Sequence, residues 1–387
     1  MFFSGASYAA TMPYASLVGV ETLGLSGAWF GMVMGIGAVL GTLVSLSLGY
    51  VSDKLRDRRL LVILTALAGM TGHGMIYLWP TQLSFAIAMA VVMPFAFACF
   101  SQSLAYVRVY YLQRMPHRAD FMVTALRTVF TISWIIVPPA AGWIAEMSSI
   151  FNVYLASSLS YAIIGVVFAI LLGNPRAQVQ TPPAIREPGA SIFSALALPK
   201  HTLAGLAGLI IMSSGTRVMS FILPLFIVRD LGGDTREVGY YSGITAAIEA
   251  PCMLFWAWLT TRLSKETLIV CAGMVMALFM FGASLMQSVP ALYWLLILNG
   301  FGIAALMSIP ISYTQDAIKG RVGLSTSLLD ITAIAANLLG AAAFAVLTTG
   351  DDYRFALVIA AGITVVGAMT MALGNLDRLG RLNRAPA

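Results

Sequence analysis

Apolar residues run along this chain in blocks of about 20, the length that crosses a bilayer, without the strict alternation of a half-buried strand. Charge clusters, Gly/Pro punctuation and polar dips divide it into segments near 2–20, 28–51, 60–79, 82–112, 121–145, 151–172, 202–228, 237–260, 267–287, 291–315, 323–348 and 353–374. At a rise of 1.5 Å per residue, each can cross a hydrocarbon core of about 30 Å. Lipid offers no partner to an open backbone, so continuous runs of this kind must be helices rather than barrel strands. The pattern predicts an all-α membrane protein of twelve spans.

Composition agrees. Of 387 residues, 59% are hydrophobic and 10% charged, against roughly 25% charged in soluble domains, and the mean hydropathy is +0.88. A net charge of +6 would suggest nucleic acid in a soluble protein; here its placement reports orientation instead, and no nucleic-acid partner is expected. Alternate connections hold Lys54, Arg56, Arg58, Arg59; Arg114, Arg118; Arg176, Arg186, Lys200; Arg262, Lys265; Lys319, Arg321; and Arg378, Arg381, Arg384, whereas the other side has Arg229, Arg236 and Arg354. Positive charge marks the cytoplasmic side, which predicts a multi-pass protein of the cell (inner) membrane with both termini inside. Cys99, Cys252 and Cys271 lie in apolar runs without metal-ligand spacing, so neither disulfides, metal nor cofactor is indicated. The chain opens on a span without the basic flank of a signal peptide, abruptly enough that a short preceding tail is expected.

The longest polar stretch, 173–201, is Pro-rich and reads as a cytoplasmic linker between halves 1–172 and 202–387. The halves resemble each other: Leu23, Gly24, Gly31, Gly35, Leu55 and Leu60 recur, 208 positions later, as Leu231, Gly232, Gly239, Gly243, Leu263 and Leu268. One constant frame over matching helix ends indicates a repeat.

Between spans two and three stands "GYVSDKLRDRR", 49–59. It is similar to the major facilitator pattern G-x-x-x-D-[RK]-x-G-[RK]-[RK], and more so to the S-D-x-x-G-D-R-R form of bacterial sugar efflux transporters. Gly49, Ser52, Asp53, Asp57, Arg58 and Arg59 match, while Arg56 replaces the usual Gly. Further resemblance lies in "LRTVFTISWIIVPPAAG" (126–142), "LPLFIV" (223–228), "AAIEAP" (246–251) and "QDAIKGRVGLSTSL" (315–328). The resemblance implies two pseudo-symmetric six-helix bundles of the major facilitator fold, a small-molecule substrate, and export of sugars or glycoside-like solutes against protons. A drug/proton antiporter for amphipathic compounds is the alternative. No HExxH, GxSxG or P-loop supports an enzyme, and the chain is expected to act as a monomer.

The loop has two readings. It is a solvated turn that enforces topology, or, as the resemblance implies, a cytoplasmic gate of Gly49, Asp53, Asp57, Arg58 and Arg59 that latches the opposite half near Gly323. Ionisable residues inside spans matter more. Glu249 sits about 18 Å from either end of span eight by helix rise, where a charge costs about 2.5–3.5 kcal/mol unless paired or hydrated. A carboxyl that can be neutral is what proton coupling needs; a permanent ion pair is the other reading. Asp330 in span eleven aligns with Arg127 in span five when the repeats are laid together. Glu249 and Asp330 are the candidate proton carriers. Arg127, Arg217 and Arg108 are candidates for substrate binding or charge pairing. Tyr8, Tyr14, Gln102, Tyr106, Trp134, Asn299 and Asn337 are candidates for the substrate cavity, each open to plain packing or interhelical hydrogen bonding. His73 reads as an interhelical histidine, Pro138 and Pro139 as a bend in span five, and Gly31, Gly35, Gly37 and Gly41 as sites of close helix packing.

Overall fold

The computed structural model describes residues 1–54, 57–179, 198–317, 322–350 and 352–382, with the backbone alone at 53–54, 317, 322–327 and 376–382. Twelve long helical segments, with short 3₁₀ turns at Pro175–Ala177 and Thr348–Gly350, occupy the described residues. They are α1 (Phe2–Thr22), α2 (Gly27–Lys54), α3 (Arg58–Leu78), α4 (Gln82–Arg114), α5 (Pro116–Met147), α6 (Ile150–Leu172), α7 (Lys200–Asp230), α8 (Thr235–Leu259), α9 (Lys265–Ser284), α10 (Val289–Ala317), α11 (Val322–Leu347) and α12 (Tyr353–Leu382). Eleven are long and apolar enough to cross a membrane. The exception, α1, is broken into an α-helix to Thr11, a 3₁₀ turn at Met12–Tyr14 and a wide turn at Leu17–Thr22; Pro13 lacks the N–H that would continue the first piece. Most span boundaries fall within about five residues of those the hydropathy pattern predicts, while α12 runs eight residues beyond 374.

Helix starts are set by local chemistry. Asp57, Thr81, Ser149 and Ser264 each accept a first-turn backbone N–H, satisfying donors that the helix leaves unpaired. Asp234 and Glu237 form a reciprocal box at α8: each carboxylate accepts the other's backbone N–H, at 3.1 and 3.0 Å.

By its contacts the chain divides into two units, Met1–Arg186 with Asp234–Gly243, and Glu187–Gly233 with Ile244–Ala387. Within the first, α1 packs on α5 and α6, and α3 on α4 and α6; within the second, α7 packs on α11 and α12, and α9 on α10 and α12. The partner sets repeat six helices later, the pseudo-symmetry of two six-helix bundles. The repeat extends to single hydrogen bonds. Leu23 N–H donates to Val18 O at 2.9 Å and Leu231 N–H to Phe226 O at 3.1 Å; Leu25 donates to Gly19 O and Gly233 to Ile227 O, both at 2.9 Å. All four pairs are 208 positions apart. At the centre of each turn a glycine takes positive φ, 70° at Gly24 and 68° at Gly232, a conformation that other residues resist.

One expectation needs correction. Gly37 does allow close packing, since a Cβ there would stand 2.8 Å from the Met89 carbonyl, but one on Gly41 would meet nothing within 4 Å. The α5 helix carries Pro138 and Pro139 inside its length.

Because the strain sits in the backbone, Gly24→Ala and Gly232→Ala should each cost about 1–2 kcal/mol, whereas Gly41→Ala should be neutral. Thermal or denaturant unfolding of the three purified variants in detergent checks this.

Candidate functional site

In the first unit the candidate residues gather along one face of α5. Arg127, Trp134, Pro138 and Gly142 are spaced by seven, four and four residues, which places them on one side of a helix. α1 lies against that side. Gly5 leaves room for Phe130 and Ser133. The Tyr8 ring stands edge-on to Trp134 at 5.6 Å and to Phe97 at 5.0 Å. Tyr14, fully buried, donates its hydroxyl to Pro138 O at 2.9 Å. Arg127 and Arg108 are exposed. Gln102 on α4 is 7% exposed, and its side-chain oxygen has no hydrogen-bond partner among the described residues. An amide oxygen buried in that way is an acceptor held ready for a donor.

The start of α8 closes on α5 at glycines. A Cβ on Gly239 would collide with Pro138 O, and one on Gly243 would lie 2.8 Å from Ile135 O, the carbonyl left without its helical donor by Pro139. Trp143 Nε1 donates to Tyr240 Oη at 2.6 Å, and Thr235 Oγ1 to Glu146 Oε2 at 3.1 Å. Sequence reasoning marked Gly239 and Gly243 as repeat positions and missed their seam. The D-x-x-E box at 234–237 was the readable signal for where it begins.

The second unit groups its candidates in two places. Asn299 on α10 is fully buried and donates to Thr245 Oγ1 at 3.1 Å, while Gly300 admits Ile248. Glu249 follows Thr245 by four residues and so shares its helix face. Glu249 is half-buried and forms neither hydrogen bond nor ion pair among the described residues. Elsewhere, the Arg217 stem packs over Gly340. Asn337 and Asp330 lie three and ten residues before Gly340, on the same side of α11.

Of the basic loop's charges, Asp57 and Arg59 pair at short range. Asp57 Oδ1 accepts Arg59 N–H at 3.1 Å and Nε–H at 2.8 Å, while Oδ2 meets the guanidinium at 2.5 Å. Arg59, 3% exposed, also donates to Asn174 O at 3.0 Å and to Leu171 O. It therefore caps the C-terminal end of α6, where a cation is favoured, and pairs inside its own loop. The segment that follows is held down as well: Tyr106 Oη donates to Ala177 O at 2.8 Å and Arg114 donates to Gln178 O and Arg176 O, with Val179 fully buried. The Tyr106 hydroxyl is thus committed to a backbone carbonyl. Arg58 is buried and Gly49 half-buried. The Asp53 side chain, Arg56 and most of 173–201 lie outside the described residues. His73 is enclosed, its Nδ1 2.8 Å from Gly69 O and its ring stacked on Tyr161.

Aqueous carboxylates here are tuned by these forks. The hydrogen bonds from Arg59 hold the Asp57 carboxyl below its ordinary value. At Asp234, partial burial pushes upward, but the Arg236 fork and the Glu237 N–H outweigh it and the net shift is downward.

Twelve helices in two pseudo-symmetric six-helix bundles, with ionisable and amide groups on facing helices, define a polytopic membrane transporter rather than an enzyme. The Major Facilitator Superfamily model matches residues 1–270 and 205–384, and the chain belongs to that family. It is 27% identical to a putative sugar efflux transporter of Deinococcus radiodurans over 84% of each chain. It is 24% identical to sugar efflux transporter A of Dickeya chrysanthemi, over 96% of this chain and 92% of that one. It is also 23% identical to multidrug resistance protein MdtG of Klebsiella pneumoniae, over 96% and 90%. Among solved structures, the nucleoside transporter NupG superposes with a TM-score of 0.81 over 96% of each chain at 14% identity. The peptide transporter POT in complex with sulfate superposes at 0.77 over 98% and 93%, at 13% identity. Those likenesses establish the fold.

Both forked carboxylates have depressed values, so the stability they add is present above the unfolded carboxylate range near pH 4 and is lost as pH falls through the lower folded value. Amide hydrogen exchange at the starts of α3 and α8 should therefore stay protected at pH 5 and open only below it. Arg59→Ala should cost about 2 kcal/mol by removing charge-assisted bonds from buried carbonyls, read as earlier thermal unfolding in detergent.

Proposed function

We propose that this transporter exports sugars or glycoside-like neutral solutes in exchange for protons, by alternating access between bundles 1–172 and 202–387 joined by a cytoplasmic linker at 173–201. The membrane is the cell (inner) membrane, and the termini and basic loops face the cytoplasm, by the distribution of positive charge. The observation that carries the reading is Glu249: a carboxyl in mid-span, with no ion pair among the described residues, one turn from the Thr245–Asn299 hydrogen bond. A permanent structural charge would be paired at that depth. A carrier of one proton must instead be able to exist in both forms. The neutral acid crosses cheaply with the closing helices, and the anion is stable only while water reaches it.

The Tyr8–Trp134 pair and the Gln102 amide suit a solute with apolar ring faces and hydroxyl edges. Aromatic faces cover C–H surfaces, and the buried amide oxygen accepts a hydroxyl proton. The sugar efflux transporters of Deinococcus and Dickeya that the chain resembles point the same way. An aromatic cluster also suits amphipathic drugs, and the MdtG likeness favours that second reading. In either case, the glycine seam between α5 and α8 serves as the outer gate, tight enough to exclude water when shut.

Two outcomes test this in sealed proteoliposomes with radiolabelled glycosides and cationic dyes. An imposed pH step should drive glycoside movement by the native chain; Glu249→Gln should abolish the response to the step while leaving downhill exchange. Dye movement without glycoside movement selects the drug reading, and indifference to the step removes proton exchange. Gly239→Val should insert normally yet transport far more slowly, because its side chain collides with the Pro138 carbonyl.

A further inference from the structure

The end of α8 presents an arginine with donors to spare. The last four carbonyls of the helix, Trp256 to Leu259, are already met. Thr260 donates its N–H to Trp256 O at 3.0 Å and its hydroxyl to Ala257 O at 2.7 Å; Thr261 donates both to Trp258 O, at 3.1 and 2.7 Å; and the N–H groups of Arg262 and Leu263 meet Leu259 O, both at 3.0 Å. The Arg262 guanidinium is therefore not spent as a cap, unlike that of Arg59 at the end of α6. It stands 4.9 Å over the Trp258 ring and forms neither hydrogen bond nor ion pair among the described residues. The carboxylates beside this turn are engaged: Lys265 holds Asp316 at 2.7 Å, and Glu266 has a partner of its own.

The cation sits at the rim of an apolar face. Trp258 follows Glu249 by nine residues, about 14 Å along a helix axis, close to half of a hydrocarbon core of about 30 Å. That is the depth at which acyl chains give way to headgroups and where Trp is enriched. Trp258 is 51% exposed, and Leu254, Phe255 and Leu263 around it are 76%, 46% and 48% exposed. The Phe255 ring lies 5.9 Å from that of Trp258. An aromatic residue followed by a cation one turn later also occurs 208 positions earlier, as Tyr50 and Lys54, and at the end of α4, where Arg114 lies 4.1 Å over Tyr110. There the guanidinium is spent on the Arg176 and Gln178 carbonyls. At α8 it is left open.

Charge and setting together select the ligand. A guanidinium offers a planar fork of donors that fits two phosphate oxygens, and a phosphate that arrives with apolar chains is a glycerophospholipid. Phosphatidylglycerol brings its negative charge uncompensated. In phosphatidylcholine the trimethylammonium offsets the phosphate and contends with Arg262 for the Trp258 ring.

We propose that the end of α8 is a seat for an anionic glycerophospholipid, its phosphodiester on Arg262 and its chains along Leu254, Phe255 and Trp258. The seat does not depend on which solute the protein carries. Purified, monodisperse protein in detergent is titrated with phosphatidylglycerol or phosphatidylcholine of the same acyl chains, and bound lipid is counted by native mass spectrometry. The native chain should retain phosphatidylglycerol in preference to phosphatidylcholine. Arg262→Gln should weaken retention of phosphatidylglycerol about fivefold, as expected for one cation near a charged headgroup, and leave phosphatidylcholine unchanged; Arg262→Lys should restore part of the loss. Arg118→Gln, which removes an exposed cation at the start of α5, should change neither. Thermal unfolding in phosphatidylcholine checks that each variant is folded. Three results overturn the proposal: equal retention of the two lipids by the native chain, retention of phosphatidylglycerol untouched by Arg262→Gln, or an equal loss in Arg118→Gln.

Discussion

A backbone N–H or C=O inside hydrocarbon must find its partner within the chain, and this requirement governs the molecule. It makes every span a helix, and it makes each irregularity costly enough that something nearby must satisfy it. The wide turns closing α1 and α7 rescue their carbonyls with the same two hydrogen bonds, around Gly24 and Gly232. In α5 the consecutive prolines leave the Trp134 and Ile135 carbonyls without their helical donors. Gly243 gives the start of α8 a close approach to Ile135 O, and one turn on Tyr14 donates to the Pro138 carbonyl. Neighbouring helices therefore come closest to α5 around its interrupted turn.

The internal repeat shows one local plan used twice and then diverted. Position 26 is Ser26, whose hydroxyl accepts Trp29 N–H at 3.3 Å; its counterpart Asp234 accepts two backbone N–H groups and holds Arg236 as well. The cap has become an ionic fork at the mouth of the α5–α8 seam. The same diversion places Arg127 in α5 and Asp330 in the equivalent turn of α11. Packing partners are conserved between the halves while charge is not, as expected when the core sets the fold and side chains on one face set what passes.

What could be read in advance follows from the range of each interaction. Spans, the repeat and the intramembrane charges were legible because hydropathy, spacing and glycine punctuation are local properties. The glycine seam was only half legible: Gly239 and Gly243 stood out by position, but nothing in a one-dimensional pattern says which backbone they admit. In the basic loop, Arg59 closes on Asp57, two residues away, and on carbonyls at the end of α6 more than a hundred residues away, pairings that no spacing in the sequence announces. Tyr106 likewise read as a cavity residue from its place on α4, and only the docking of 174–179 shows that its hydroxyl is spoken for.

Among the described residues, Arg59 and Arg354 are compensated in a way that Glu249 is not. Arg59 is nearly inaccessible and is met by a carboxylate and two carbonyls; Arg354 donates to Ser284 O and Met286 O at 2.9 and 2.7 Å. Such groups are fixed pins, because breaking one strands a desolvated charge. A proton carrier has the opposite requirement: a partner that held its anion permanently would also hold the helix in one state. One turn before Glu249 on the same face, Thr245 accepts from Asn299, so the groups placed nearest along its helix are neutral. On the proposed reading, pins such as Arg59 and Arg354 fix their own surroundings, while Glu249 is left able to change its charge.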